Sequence, residues 1–535
     1  MLTFSIILFS CNNENDLLTD ENENQFSLIE NDEIAKSEFS NALFQAMSES
    51  SELRDVIKNE ALRQIDYDYD VIYSLIKNKT LGNGKTVEEL FSKYIDLDKL
   101  RQIEFNYPNL TIFVPSLPMD YFSAENWDTE TQTPAVCYVS SKTNKEVPII
   151  FSNGERGVIE EDLIPAFPIV IVKENERISE AALTKSSNSN LIITESGSLM
   201  KPLAFIDDVF NNINPTNDNS LMTTKNAGTS LIPANLQKVY DAYDHFNISG
   251  WQRDHVYYNL TPTKVEGPFD NKYMEHIVGF EMIGDGLAAI RKIADQDGDP
   301  RTIDKIKGGG RGRGNGNQPH WTDGEFEFKV KYYLGSKSPI GTEAFTNFRA
   351  KPTDLFDIRY EGVRKGNAID VTWLYIKSAT TKRIQLSRPL FEWNLENYSA
   401  VVKINIEEVD ATQSVVNTTT TSSEFATNFE FNPTWGDKVK KGLKFGASMK
   451  ETRTISYQVT TTYGNDELGE IIVNFSDPII TSKDDRIPPK SGSSGGGRPS
   501  YGGSTDPETK TIDPYYNTKY STGWYRIYVA PLKIY

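Results

Sequence analysis

The chain has 535 residues, a formal net charge of −19, four histidines and two cysteines. An acidic balance of this size argues against a nucleic-acid-binding surface over the whole chain, because phosphate binding needs clustered positive charge. Two cysteines and four scattered histidines exclude a disulfide framework and the structural-zinc spacings, so stability must come from packing in a chain long enough for roughly two to four domains.

The first element is an apolar run, Leu2 to Phe9, closed by Ser10-Cys11 and followed by Asn12, Asn13, Glu14, Asn15 and Asp16. The run is far below the roughly 20 residues that a spanning helix needs and has the length of a signal-peptide core. Met1-Leu2-Thr3 carries no Lys or Arg where a positive start is expected, which points to a start upstream of Met1. The apolar run, small Ser10 and Cys11 resemble a bacterial lipoprotein signal. That resemblance implies that residues 1–10 are removed and that Cys11 is acylated, leaving no partner for an intrachain disulfide with Cys137. The plain alternative is a cytosolic protein with an apolar N-terminus and a stray cysteine.

The acidic stretch after Cys11 is similar to that of surface-exposed outer-membrane lipoproteins of the Bacteroidota, and the Asn-, Lys-, Ile- and Asp-rich composition fits the same group. The block from Phe39 to Phe91 also resembles the N-terminal part of uncharacterised lipoproteins from such bacteria, a likeness that carries no known activity. The resemblance implies a membrane contact made through the N-terminal lipid, with the body facing the cell exterior. Each buried acyl methylene contributes about 0.8 kcal/mol, so two or three chains anchor stably.

Residues 11–31 are polar and acidic and are expected to be a tether. Helical periodicity then starts. Phe39 and Leu43, then Leu53, Val56 and Ile57, recur at helical spacing, and Val71, Ile72, Leu75 and Ile76 form a second stripe. Thr86-Val87-Glu88-Glu89 is a capping-box signature opening a third helix. Residues 32–104 are therefore expected to form a helical domain. From 105 to 182 the period changes to two, with Leu110, Ile112 and Val114, then Ala135 to Val139, Val147 to Phe151 and Pro168 to Val172; a small β domain is expected there. Residues 183–250 are rich in Ser, Asn and Thr and read as a linker, with a short helix carrying Leu236, Val239, Tyr240 and Tyr243. Residues 251–535 hold many short strand-forming runs and are expected to form a sandwich-like domain, with Gly-rich loops at 308–317 and 491–504. The fold class is thus α+β multidomain: an N-terminal helical domain followed by predominantly antiparallel, sandwich-like β domains.

Few segments suggest chemistry. Asp295-Gln296-Asp297-Gly298-Asp299 alternates carboxylates around a glycine and resembles the start of a calcium loop, but Ile306 stands where an EF-hand needs a bidentate Glu. Asp295, Asp297 and Asp299 are the candidate ligands for a structural calcium ion, against the simpler reading of a solvated acidic turn. Gly82-Asn83-Gly84-Lys85-Thr86 lacks the first glycine of a phosphate loop and reads as a turn feeding a capped helix. Arg311 and Arg313 in the first Gly-rich loop resemble an RGG segment, but two arginines offer few phosphate contacts. His245, His255, His276 and His320 form no HExxH pair, and no GxSxG elbow occurs. A pair of glycosidase carboxylates leaves no spacing signature, so hydrolysis stays open. Trp321, Trp373, Trp393, Trp435 and Trp524 suit either core packing or sugar stacking. The Ser/Thr-rich stretches 411–430 and 444–463 read as a solvated hairpin, with the membrane hairpin of a pore former as the alternative. The expectation is a non-enzymatic surface binding or assembly protein with a protein or glycan partner and no nucleic acid. A glycan-binding or glycan-processing part of a nutrient-uptake system is the alternative, and a β-pore-forming protein the third reading.

Overall fold

The computed structural model describes residues 32–140, 146–160, 163–181, 191–192, 201–206, 210–212, 234–294, 324–336, 341–363, 373–409, 413–426, 450–463, 466–484 and 513–534. Within them the fold is α+β, with helices first and mostly antiparallel sheets after. Among the described residues no helix is long and apolar enough to cross a membrane.

The N-terminal part comprises helices α1 (Asp32–Glu49), α2 (Ser51–Ala61), α3 (Tyr73–Ile76), α4 (Val87–Phe91) and α5 (Leu97–Asn106). Its strands are β1 (Asp70–Ile72), β2 (Leu110–Phe113), β3 (Ala135–Tyr138), β4 (Glu146–Ile150), β5 (Arg156–Glu160), β6 (Ile164–Pro165) and β7 (Ile169–Glu174). The helices start where side chains can satisfy unpaired N–H groups. Ser50 Oγ accepts from Leu53 N at 3.1 Å, and Asp96 Oδ1 accepts from Lys99 N at 3.1 Å. The capping box expected at Thr86 is present: Glu89 N donates to Thr86 Oγ1 at 3.1 Å, and Thr86 N donates to Glu89 Oε2 at 2.8 Å.

Helices and strands of this part bury into one core, from Phe39, Leu43 and Leu53 through Val71 to Ile112, Cys137 and Val170. The six-stranded sheet runs β1-β2-β7-β3-β4-β5, with β3 parallel to β7 and the other pairs antiparallel. Ile169 to Val172 are all buried, the near-continuous apolar run of a strand covered on both faces. The stripe Val71, Ile72, Leu75, Ile76 is a strand and one helical turn rather than one helix, because residues 70–72 pair with 111–113.

Part of the Ser/Asn/Thr-rich stretch is ordered into the molecule. Strand β8 (Ile178–Glu180) pairs with β9 (Leu203–Phe205), and Ile178, Leu203, Phe205 and Phe210 pack with Ile65, Ile72 and Val409. Helices α6 (Gln237–Phe246), α7 (Gln252–Tyr258) and α8 (Gly286–Ile293) and the turn α9 (Pro352–Leu355) accompany the C-terminal strands. These are β10 (Tyr273–Met282), β11 (Phe326–Leu334), β12 (Thr342–Ala350), β13 (Phe356–Val363), β14 (Trp373–Thr381), β15 (Arg383–Pro389), β16 (Val401–Glu408), β17 (Gln413–Ala426), β18 (Lys450–Tyr463), β19 (Asp466–Asn474), β20 (Ile480–Asp484), β21 (Asp513–Tyr516) and β22 (Tyr525–Lys533). Sheet β15-β10-β22 faces sheet β12-β11-β16-β19 in a sandwich-like arrangement. Phe280 of the first lies 5.1 Å from Phe328 and 5.0 Å from Phe348 of the second, ring centre to ring centre. Trp373 and Trp393 are buried in these cores.

A third sheet joins the two parts. In β13-β14-β6, Trp373 and Leu374 pair with Pro165 and Ile164, and both enter the N-terminal core. The long pair β17 and β18 matches residue for residue from Gln413↔Tyr463 to Ala426↔Lys450 and forms a two-stranded sheet of its own. Phe425, Ile455 and Tyr457, from the middle of the pair to its Ala426↔Lys450 end, pack with Tyr333.

Candidate functional site

The seam between the two parts is built on Asp66-Tyr67-Asp68-Tyr69-Asp70, which runs from the turns after α2 into β1. The segment is a run of turns up to Tyr69 and becomes strand at Asp70, and Asp66, Asp68 and Asp70 are all buried. Asn175 Nδ2 donates to Asp66 Oδ2 at 2.7 Å and to Asp70 Oδ2 at 3.1 Å. Arg177, also buried, ties this segment to the C-terminal part. Its Nη1 lies 2.7 Å from Asp68 Oδ2 and donates to the Asp66 carbonyl at 3.0 Å. Its Nη2 lies 3.0 Å from Glu327 Oε1 and donates to the Glu325 carbonyl at 2.8 Å. Lys173 Nζ stands 3.8 Å from Asp70 Oδ1 and donates to Glu176 at 2.6 Å.

Four fully buried acids (Asp66, Asp68, Asp70, Glu327) thus share two buried cations, Lys173 and Arg177. Burial raises the Asp66 carboxyl and pushes those of Asp70 and Glu327 well above the usual carboxylate range, against the pull of Arg177 and Lys173. Burial lowers the Arg177 guanidinium, but Asp68 and Glu327 outweigh it and hold its proton well above the ordinary value. Gly324 makes the close approach feasible, since a Cβ built there would overlap the Asp68 carboxyl.

In front of this network lies a cavity of about 610 Å³, within the roughly 300–1,000 Å³ typical of small-molecule sites. Its deep wall is Asp68, Tyr69, Phe113, Leu117 and Phe122, all buried. Glu325, Lys351 and Tyr360 close it from the C-terminal part, and Ser116, Met119, Asp120, Glu125 and Asn126 form an exposed mouth. Tyr69 donates its hydroxyl proton to Glu125 Oε1. Arg349 lies with its guanidinium 3.2 Å from the Tyr67 ring centre and its Nε 3.5 Å from Glu325 Oε2. Gln64, Tyr67, Met119 and Asp120 have φ of 47°, 70°, 58° and 56°, the left-handed region that non-glycine residues seldom occupy. Three of the four line the cavity, and such backbone strain concentrates at functional sites.

The other sequence candidates stand elsewhere. Cys11 with its signal and tether, Asp295, Asp297 and Asp299, and the Gly-rich loops at 308–317 and 491–504 lie outside the described residues. Among the described residues no group of three or more His, Cys, Asp or Glu is arranged to hold a metal ion. Gly82 to Thr86 forms a turn, with Gly84 N donating to the Leu81 carbonyl at 2.8 Å. His255 and His276 each place Nδ1 2.8 Å from a backbone carbonyl, of Leu260 and Met274. Sequence reasoning overlooked the seam acids. The readable signal was the alternation of three aspartates with two tyrosines leading into an apolar run; Lys173, Arg177 and Glu327 are too distant in sequence to be linked to it. Comparison with protein-family models, with curated proteins and with solved structures finds no match.

Proposed function

We propose that this chain is a lipid-anchored binding protein of the outer bacterial surface, similar to Bacteroidota surface lipoproteins, that offers the seam cavity to a ligand. The cavity is the single observation that carries the binding role. It lies at the junction of two packed parts, where binding sites concentrate, and joins an apolar back wall to a few convergent polar groups. The membrane attachment rests on the apolar run, Ser10, Cys11 and the acidic stretch that follows. Replacing Cys11 with Ser is expected to move the full-length protein from the membrane to the soluble fraction; detergent-dependent fractionation of the variant would refute the anchor.

Glycan binding is the second reading. Tyr69 and Tyr360 with Ser123 and Asn126 in the cavity lining are residue types suited to sugar faces and hydroxyls. A glycan array on the Cys11→Ser protein tests it, and micromolar or tighter binding supports it. The pore-forming reading draws on the fourteen-residue pairing of β17 with β18, and the absence of dye release from liposomes would remove it.

A further inference from the structure

The buried acids behind the seam cavity are partly paired with cations, whereas the two carboxylates at its exposed mouth are in no ion pair among the described residues. Asp68 and Glu327 share Arg177, and Glu325 faces Arg349 with Lys351 nearby. Asp120 and Glu125 line the exposed mouth, and neither forms an ion pair among the described residues. The Tyr69 hydroxyl holds the Glu125 carboxylate in place. Immediately inward, Phe113, Leu117 and Phe122 give an apolar wall that is already buried. The mouth carboxylates disfavour an anion and attract a cation, and an uncharged ligand gains nothing from them.

Resting on the reading that the cavity is a binding site, we infer that its ligand is a small organic cation. It carries a primary amine or guanidinium on an apolar body, with the charge beside Asp120 and Glu125 and the body against Phe113, Leu117 and Phe122. The cavity's volume of about 610 Å³ accommodates a molecule of this kind. The mouth carboxylates face solvent, so the attraction is screened by salt over a Debye length of about 8 Å at physiological ionic strength. Affinity for the cation therefore falls with added salt, whereas contact with the apolar wall does not.

Titration calorimetry on the full-length protein tests this with phenethylamine and phenylguanidine against 2-phenylethanol, 3-phenylpropionate and maltotriose. The two cations are expected to bind at least tenfold more tightly than the other three. The double variant Asp120→Asn/Glu125→Gln should lose at least tenfold in affinity for the cations while its melting temperature stays unchanged, since both residues are exposed. Ser116→Trp, which obstructs the mouth, should abolish binding of every probe. If 2-phenylethanol or maltotriose binds as well as the amine and is blocked by Ser116→Trp, the cavity is a binding site but the cationic ligand is wrong. Amine binding that ignores the double variant also overturns the inference. Should no probe bind, both the cationic ligand and the binding role of the cavity fall.

Discussion

Arg177 bears more of the seam than any other side chain, because it meets Asp68, Glu327 and two backbone carbonyls from both parts of the molecule. Removing one partner of a buried ion pair leaves the other charges uncompensated, at a cost of about 3–5 kcal/mol. Arg177→Met is therefore expected to lower the unfolding free energy by about that amount, read as a lower urea midpoint at an unchanged slope, and an unchanged midpoint would mean that the acids do not depend on it. Asp254 poses the opposite case. Its carboxyl is buried, neither oxygen has a hydrogen-bond partner, and burial with the nearby Glu266 holds it well above the usual range. A raised folded-state value means that the folded chain keeps the proton while the unfolded chain releases it, so this residue costs stability as pH rises above the ordinary carboxylate range. Asp254→Asn should make the protein more stable at pH 8, by about 1–3 kcal/mol, and leave it little changed at pH 4. Equal loss at both pH values would show that the carboxyl has a partner in solution. Glu266, pushed up to about 7 by burial and by Glu396, adds to the same slope.

Among the elements, α4 is five residues long and depends on its start. Thr86→Ala removes half of the capping box and is expected to cost about 1 kcal/mol; a denaturation midpoint equal to wild type would assign the helix to packing of Leu90 and Phe91 alone. The capping box was legible because it is a local contact between residues three apart. The strand β1 was not, because Val71, Ile72, Leu75 and Ile76 satisfy helical spacing, and only the ladder to β2, some forty residues on, decides between the two. The same holds for Leu203 to Phe205. Its surroundings have linker composition, yet β8 supplies a pairing edge and Ile178 an apolar face. The Ser/Thr-rich hairpin shows the partial case: alternation predicted two strands, and the register of β17 on β18 came from the folded chain.

Over the described residues the raised carboxyls of Asp66, Asp70, Glu104, Asp254, Glu266, Glu325 and Glu327 have one sign. Each makes the folded state bind more protons than the unfolded state, so stability falls as pH rises. A net charge of −19 adds self-repulsion in the same direction. The lowered carboxyls of Glu49 and Asp128 act the other way but are exposed and screened, and half-buried Asp270, paired with Lys238, opposes the trend at one position. The melting temperature is expected to be higher at pH 5 than at pH 8, and a rise between those values would contradict a proton-holding seam.

What could be read in the amino-acid order alone is what depends on neighbours in the chain: the helices carrying Phe39, Leu43 and Leu53, the capped turn at Thr86, and the strand-forming C-terminal half. These follow from periodicity and local hydrogen bonding, which act over a few residues. The seam cavity had no such signature. Asp68, Phe113, Asp120, Glu125 and Glu325 come from segments up to some 250 residues apart, and Arg177 joins Asp66 to Glu327 across both parts. The pairing of Trp373 and Leu374 with β6 brings those segments into one place. Burial then raises the carboxyls of Asp66, Glu325 and Glu327, and only packing between distant segments sets burial.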